Sequence, residues 1–214
     1  MSPVKLLTVL LLWGLMTVSC SLYYDAEIDR GFLTDQPCAA PCWYQLVPGK
    51  SSKDDVINTL KNLTFIEPNS IKEYGTKWIN DDSAQSIIFA CTHPIKKNCG
   101  EIVISKDQIK LISLSVNFPL GIEAVVNKLG PPSYVDYGVY APEVGGCIVS
   151  FNWPDLNIEA SNLDTRNNEL CTIIQNQHSI PRKIEIQSMS YAVNEAFNLE
   201  PGGCCQRIEW PDFK

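Results

Sequence analysis

The chain has 214 residues, of which 45% are hydrophobic, so it is long enough for one large domain or two small ones with a packed core. Its formal net charge of -7 argues against binding to nucleic acid and against electrostatic docking to anionic lipid. Nine cysteines without a C-x-x-C pair, together with only two histidines, favour a disulfide framework in an oxidising compartment over a metal-binding protein.

The N-terminus is typical of an exported protein. Lys5 supplies one positive charge, and the apolar run at 6–18 is too short to span a bilayer but fits the core of a signal peptide. The run ends in Thr17-Val18-Ser19-Cys20, which resembles a bacterial lipobox with Thr17 in place of the usual leucine. We therefore expect a signal peptide at 1–19 and lipidation of Cys20, with ordinary cleavage near Ser19 as the alternative.

A tether and a first helix follow. Residues 20–36 are mixed and charged without a sustained period, which predicts a tether between a lipid anchor and a folded body. Beyond the Pro48-Gly49 turn, apolar residues at helical spacing predict a helix at about 52–61, with acidic residues in its first turn. Strand-like runs at 71–79, 85–92, 100–105 and 109–118, joined by short turns, then predict an antiparallel meander.

The second half shows the same order of elements. Apolar spacing predicts a helix at about 122–129, which ends at Gly130-Pro131-Pro132. Strands are predicted at 133–140, 146–153, 157–160, 182–189 and 206–210, whereas 161–180 is predicted to be an insertion or a long loop because it is polar and aperiodic. Residues 191–199 are predicted to form a short helix or a loop.

The two halves predict an α+β fold of tandem repeats, each a short helix on an antiparallel meander. The first repeat is expected at 37–118 and the second at 119–214. Val56 and Leu60 of the first helix align with Val125 and Leu129 of the second. These shared positions are the apolar ones that a helix needs to cover a sheet.

This repeat unit resembles two related groups: the small outer-membrane lipoprotein of the β-barrel assembly machinery and the β-lactamase-inhibitor-protein fold. The resemblance is carried by a few helix-end residues, namely Pro48, Gly49, Val56, Leu60, Val125, Leu129, Gly130 and Pro132. Segments at 37–43 and 117–120 also resemble predicted lipoproteins of environmental bacteria. The resemblance implies a fold and carries over no functional residue. The first helix lacks the terminating Gly-x-Pro, and so many cysteines are not typical of the assembly lipoprotein.

Once Cys20 is set aside, eight cysteines remain, and we expect them all to form disulfides: Cys38, Cys42, Cys91, Cys99, Cys147, Cys171, Cys204 and Cys205. Two pairs are favoured, Cys91–Cys99 across a predicted hairpin tip and Cys147–Cys171. Cys38 and Cys42 either bridge each other or pair with the doublet at 204–205, which would tie the two ends of the folded chain together.

The sequence contains no recognisable catalytic set. It has no G-x-S-x-G elbow, no phosphate-binding glycine loop and no H-E-x-x-H motif, and its two histidines, His93 and His178, fall in predicted loops. A cysteine hydrolase using Cys147 and His178 is conceivable, but a bridged Cys147 is favoured in an exported protein. We therefore expect no metal and no cofactor.

The predicted function is that of a non-enzymatic envelope lipoprotein that binds a protein partner or scaffolds an assembly. The partner cannot be named from the sequence, and contact with the membrane is expected through the N-terminal lipid anchor. The alternatives are a secreted enzyme inhibitor that offers loops to an enzyme cleft and an exported hydrolase.

Overall fold

The computed structural model describes residues 37–79, 81–92, 98–116, 119–140, 146–164, 169–177, 180–181, 183–193 and 205–210. The expected signal peptide, Cys20 and the tether lie outside these residues. The described part has an α+β fold with one nine-stranded antiparallel sheet, three α-helices and disulfides. None of the helices described is long and apolar enough to cross a membrane.

The helices are α1 (Lys53–Asn62), α2 (Ile122–Leu129) and α3 (Glu169–Gln177). The first five strands are β1 (Lys72–Gly75), β2 (Gln85–Ala90), β3 (Asn98–Ser105), β4 (Gln108–Ser115) and β5 (Tyr134–Tyr140). The others are β6 (Gly146–Trp153), β7 (Ile158–Asp164), β8 (Ser188–Ala192) and β9 (Cys205–Glu209).

The sheet is built from two antiparallel meanders that meet at their last strands. The strand order is β1-β2-β3-β4-β8-β7-β6-β5-β9, so β4 of the first meander pairs with β8 of the second. At this seam Ser113 is the Cα partner of Ser190. Helix α1 precedes the first meander and α2 precedes the second, as the order of elements in the sequence predicts.

Local sequence explains where the first two helices begin and end. Ser52 and Asp55 form a reciprocal capping box at the start of α1, in which the Ser52 amide donates to Asp55 Oδ2 (2.8 Å). Two hydrogen bonds from Ser52 lower the pKa of the Asp55 carboxyl: first the bond from the backbone amide, then the bond from the hydroxyl. Helix α2 ends at Gly130, whose positive φ of 81° suits a residue without a side chain.

All three helices lie on one face of the sheet. Lys53 of α1 bonds Glu73 of β1 and Gln85 of β2, and the Trp153 indole of β6 donates to the Gly130 carbonyl at the end of α2 (2.9 Å). Helix α3 is tied to β6 by a disulfide. The alternate strand residues on this side form a continuous buried core with the helix residues, including Val56, Leu60, Ile122, Val125 and Ile174.

Three disulfides lie in the described part of the chain: Cys38–Cys42, Cys91–Cys99 and Cys147–Cys171. The second and third are the pairs that the sequence favours. Because Cys38 and Cys42 bond each other, the alternative cross-link between them and the 204–205 doublet does not occur. Cys205 begins β9, where its Cα partner is Gly138, and Cys204 lies outside the described residues.

The structure corrects several predicted elements. Residues 161–180 are not all loop, because β7 continues to Asp164 and α3 occupies Glu169–Gln177. Helix α3 buries Cys171 and Ile174 in the core, although the segment at 161–180 as a whole is polar and shows no helical period. The predicted strand at 182–189 is also displaced, since β8 starts at Ser188 and the preceding segment bonds Leu120 and Ile122.

Candidate binding face of the sheet

The face of the sheet opposite the helices is rich in hydroxyl groups. We call it the open face. Strand residues alternate between the two sides, so the neighbours of the core residues Ile102, Ile112 and Tyr191 point to the open face. These neighbours include five serines: Ser113, Ser115, Ser161, Ser188 and Ser190. Hydroxyls are paired across strands on this face, with Ser190 donating to Ser113 (3.1 Å) and 2.6 Å between Ser161 and Ser188.

A row of four residues crosses the middle of the open face. Glu101, Ser113, Ser190 and Glu159 are successive Cα partners on β3, β4, β8 and β7. We call them the central row. Three strand spacings separate its two carboxylates, so their Cα atoms lie about 14 Å apart. The row therefore presents two acidic groups at its ends and two hydroxyls between them.

Each carboxylate of the central row accepts a hydrogen bond from one serine. Ser86 on β2 donates to Glu101 (2.5 Å), and Ser150 on β6 donates to Glu159 (2.9 Å). The two donors occupy matching places, because each lies on the strand next to its glutamate and away from the seam. The open face thus holds the same serine–glutamate pair on both sides of the β4–β8 seam.

A shallow cavity of about 170 Å³ opens beside Glu101. Its walls come from β2, β3 and β4 and include Ile88, Asn98, Gly100, Glu101, Ser113 and Ser115. The Ser115 hydroxyl donates to the Asn98 carbonyl (3.4 Å), which closes one side. The cavity can accept a small polar or cationic group, since one carboxylate and two hydroxyls line it.

The open face also carries a carboxylate, Asp136, that has a basic partner, unlike the two carboxylates of the central row. Asp136 on β5 receives two hydrogen bonds from Arg207 on β9 (2.8 and 3.0 Å), and the guanidinium lies 3.9 Å from the centre of the Tyr134 ring. By contrast, neither Glu101 nor Glu159 has a lysine or arginine partner in the described part of the chain. Two partly buried carboxylates are thus left without a cation, at a cost in desolvation.

The electrostatic environment disfavours the charged form of Glu159. Burial raises the pKa of its carboxyl, the Ser150 hydrogen bond opposes that rise, and the negative charge of Asp136 adds to it. A raised pKa means that ionisation costs more in the folded state than in the unfolded state. The penalty is absent below the ordinary value of 4.5 and grows as pH rises through the raised pKa.

We therefore expect Glu159→Gln to stabilise the protein at pH 7.5 relative to the wild type. The gain should shrink toward pH 4.5, because the raised pKa means that more of the wild-type carboxyl is protonated there than at pH 7.5. Urea unfolding at both pH values measures the difference. An equal gain at the two pH values, or a loss at pH 7.5, would contradict the expectation.

Ser150→Ala provides the opposite test. Removing the hydroxyl that favours the charged carboxylate should raise the pKa of Glu159 further. The variant should therefore lose stability relative to the wild type, and more so at pH 7.5 than at pH 4.5. In the double variant with Glu159→Gln, this pH dependence should disappear.

The residues considered for catalysis do not form a site in the described part of the chain. Cys147 is bonded to Cys171, so it carries no free thiolate of the kind that a hydrolase using Cys147 and His178 would need. His93, His178, Cys20 and Cys204 lie outside the described residues. Within the residues described, no three His, Cys, Asp or Glu side chains are arranged to hold a metal ion.

Sequence reasoning missed the central row, although the alternation in the predicted strand at 109–118 puts Ser113 and Ser115 on the face opposite Ile112 and Leu114. Comparisons of the chain with protein-family models, with curated proteins and with solved structures found no significant match. The geometry of the open face is therefore the main evidence about function.

Proposed function

We propose that this is an exported, lipid-anchored envelope protein that acts as a binding module for another protein, without catalysis. The observation that carries the proposal is the central row, in which Glu101 and Glu159 face outward with no basic partner in the described part of the chain. Partly buried charges without a counter-ion are costly, and a partner that supplies cations would offset the cost.

The proposed partner carries two basic side chains on one surface. About 14 Å separates the Cα atoms at the two ends of the row, which is close to the advance of four residues in an extended chain. Residues four apart in such a chain point the same way, so lysine or arginine at i and i+4 would meet both glutamates. The cavity beside Glu101 gives one of these cations a place to enter.

The proposed location, anchored to a membrane outside the cytoplasm, rests on the N-terminus and the cysteines. A signal-like segment ending in Cys20 favours lipidation, and the three disulfides favour an oxidising compartment. Labelling with radioactive palmitate tests the anchor: the wild-type protein should take up label and Cys20→Ala should not. An unlabelled wild type would exclude lipid anchoring.

We also infer that 37–118 and 119–214 are two copies of one unit. The Ser113–Ser190 pair at the seam is the point about which the two copies would be related by a two-fold axis, and every antiparallel pair of strands has such a local axis. If 37–118 and 119–214 are copies, equivalent residues should also make equivalent contacts outside the seam.

A pair of backbone hydrogen bonds provides such a contact. The Ile109 amide donates to the Ser51 carbonyl, and the Ile186 amide donates to the Leu120 carbonyl. Ile109 and Ile186 each precede their seam serine by four residues. Ser51 and Leu120 each precede the aligned valines of α1 and α2 by five. The strand alignment and the helix alignment therefore agree.

Site-specific photo-crosslinking in the cells that make the protein tests the binding face. A photoreactive residue at position 190 should capture a protein whose attached peptide contains basic residues, whereas one at the exposed position 127 on α2 should not. The double variant Glu101→Gln/Glu159→Gln should lower the crosslink yield at position 190 by about tenfold or more. Equal capture at both positions, or a yield unaffected by the double variant, would overturn the proposal.

A matched variant controls for the loss of two charges. Glu123→Gln/Asp155→Asn removes two exposed carboxylates away from the open face and should leave the crosslink unchanged. Fractionation separates the proposal from a secreted inhibitor, because an inhibitor released to the medium would not sediment with membranes.

A further inference from the structure

The turn between β1 and β2 exposes apolar side chains. Three large hydrophobic residues stand out as exposed in the described part of the chain: Tyr74 (50%), Ile79 (45%) and Leu156 (36%). Two of the three, Tyr74 and Ile79, belong to the hairpin formed by these strands. We call Trp78, Ile79 and Asp81 the hairpin tip.

The backbone of the hairpin tip is strained at its most exposed residue. Ile79 has a φ of 46°, in the left-handed region that a β-branched residue rarely adopts. The indole N–H of the adjacent Trp78 is buried and has no acceptor among the described residues. Both features cost stability, and backbone strain of this kind tends to cluster at functional sites.

The tip is nevertheless held firmly. The amide of Trp78 donates to the Asp81 carbonyl (2.9 Å), and the amide of Asp81 donates back (2.7 Å). The Asp81 carboxylate accepts hydrogen bonds from the Ser83 amide (2.9 Å), the Ser83 hydroxyl (2.6 Å) and the Ser105 hydroxyl of β3. These bonds hold Trp78 and Asp81 in place without a ligand.

The Asp81 contacts also place the tip beside the open face. Ser105 and Glu101 are on the same side of β3, because their positions differ by four and side chains alternate along a strand. The Ser105 bond, followed by the two Ser83 bonds, lowers the pKa of Asp81 to about 2, so this carboxylate is fully charged at neutral pH. A partner seated on the central row would thus approach the exposed Ile79 side chain at the β1 end of the sheet.

We propose that the hairpin tip inserts Ile79 into an apolar pocket of the protein that binds the open face. This inference rests on the proposed function and adds an apolar contact to the charged one. Because hydrogen bonds already hold Trp78 and Asp81 in place on either side of the insertion point, less conformational entropy is lost on binding. An apolar pocket is the partner chemistry that an exposed isoleucine beside aromatic residues fits.

The deciding variant is Ile79→Gly. Glycine adopts positive φ without strain, so the melting temperature should rise by about 2–4 °C. The same variant should lower the crosslink yield at position 190 by about tenfold or more. Leu156→Gly removes a second exposed aliphatic side chain and should leave the yield unchanged.

A photoreactive phenylalanine analogue at Tyr74 reports the contact directly. It should capture the same protein as the probe at position 190, through a peptide rich in apolar residues. Capture at 190 but not at 74, an unaffected yield in Ile79→Gly, or a lower melting temperature would overturn the tip inference while the proposed function stands. Capture at neither position overturns both.

A lipid surface is the competing occupant. Soluble Cys20→Ala protein should not sediment with phosphatidylcholine vesicles. If it does sediment, and Ile79→Gly abolishes the sedimentation, the tip is a membrane contact and the inference is wrong.

Discussion

Gly100→Ala is expected to destabilise the protein by about 2–3 kcal/mol, although alanine is otherwise the better strand residue. A Cβ at Gly100 would lie 2.3 Å from Phe89 Cζ, 2.8 Å from Phe89 Cε2 and 2.9 Å from Leu114 Cδ2. Phe89 is the Cα partner of Gly100 across β2 and β3, so its ring covers the glycine. The ring cannot move away cheaply, because it is fully buried and stacked on Trp43 with 5.9 Å between centroids.

Urea unfolding measures the effect, and a second glycine supplies the control. A Cβ at Gly75 in β1 would meet no atom within 4 Å, so Gly75→Ala should leave the free energy of unfolding unchanged or raise it slightly. Shortening the ring should relieve the clash, so Phe89→Leu should cost less in the Gly100→Ala background than alone. Equal losses at the two glycines would show that close packing at Gly100 is not the cause.

The elements with a strong local signal were predictable. Helix α1 follows from its capping residues and apolar stripe, and α2 follows from four apolar positions and the Gly130-Pro131 stop. In β4 the alternation of Ile112 and Leu114 with serines identifies the buried side. In each case the information lies within about ten residues, and the long-range packing agrees with it.

The central row was not predictable, because it depends on pairing between distant strands. Ser113 was assigned to a polar face, but nothing local shows that β4 pairs with β8 instead of a neighbour in sequence. Ser190 lies just beyond the predicted strand at 182–189. Helix α3, which lies between β7 and β8, was not predicted, so the connection between these two strands could not be described. Glu101 and Glu159 become a pair only after the sheet forms, since a one-residue slip in register would turn either one inward.

The second large effect is expected at Trp43, which joins the N-terminal segment to the sheet. Trp43 is 1% exposed, stacks on Phe89 and meets Phe65 edge-on at 6.4 Å. Two backbone hydrogen bonds with Leu46, both 2.9 Å, fix its position in a tight turn. Trp43→Ala should cost about 3–5 kcal/mol, because removing the indole leaves a large cavity in a buried aromatic cluster.

The consequence of Trp43→Ala should extend beyond global stability. The Cys38–Cys42 bond joins residues only four apart and makes no connection to the sheet, so it cannot replace the indole as an attachment. We expect limited proteolysis to cut the variant within 37–51 before the sheet is attacked. Urea unfolding should be followed by circular dichroism, since the substitution also removes a fluorophore.

Tyr44→Ala is the matched control, because Tyr44 is only partly buried and borders the same cluster with 5.2 Å between its ring and that of Trp43. Tyr44→Ala should lower the free energy of unfolding clearly less than Trp43→Ala does, and its proteolysis pattern should stay that of the wild type. If Trp43→Ala unfolds at the wild-type urea concentration, or if both variants lose equally, the indole is not the attachment. In that case another contact would attach the 37–51 segment to the sheet, such as the hydrogen bond from the Gly49 amide to the Ile109 carbonyl (2.7 Å).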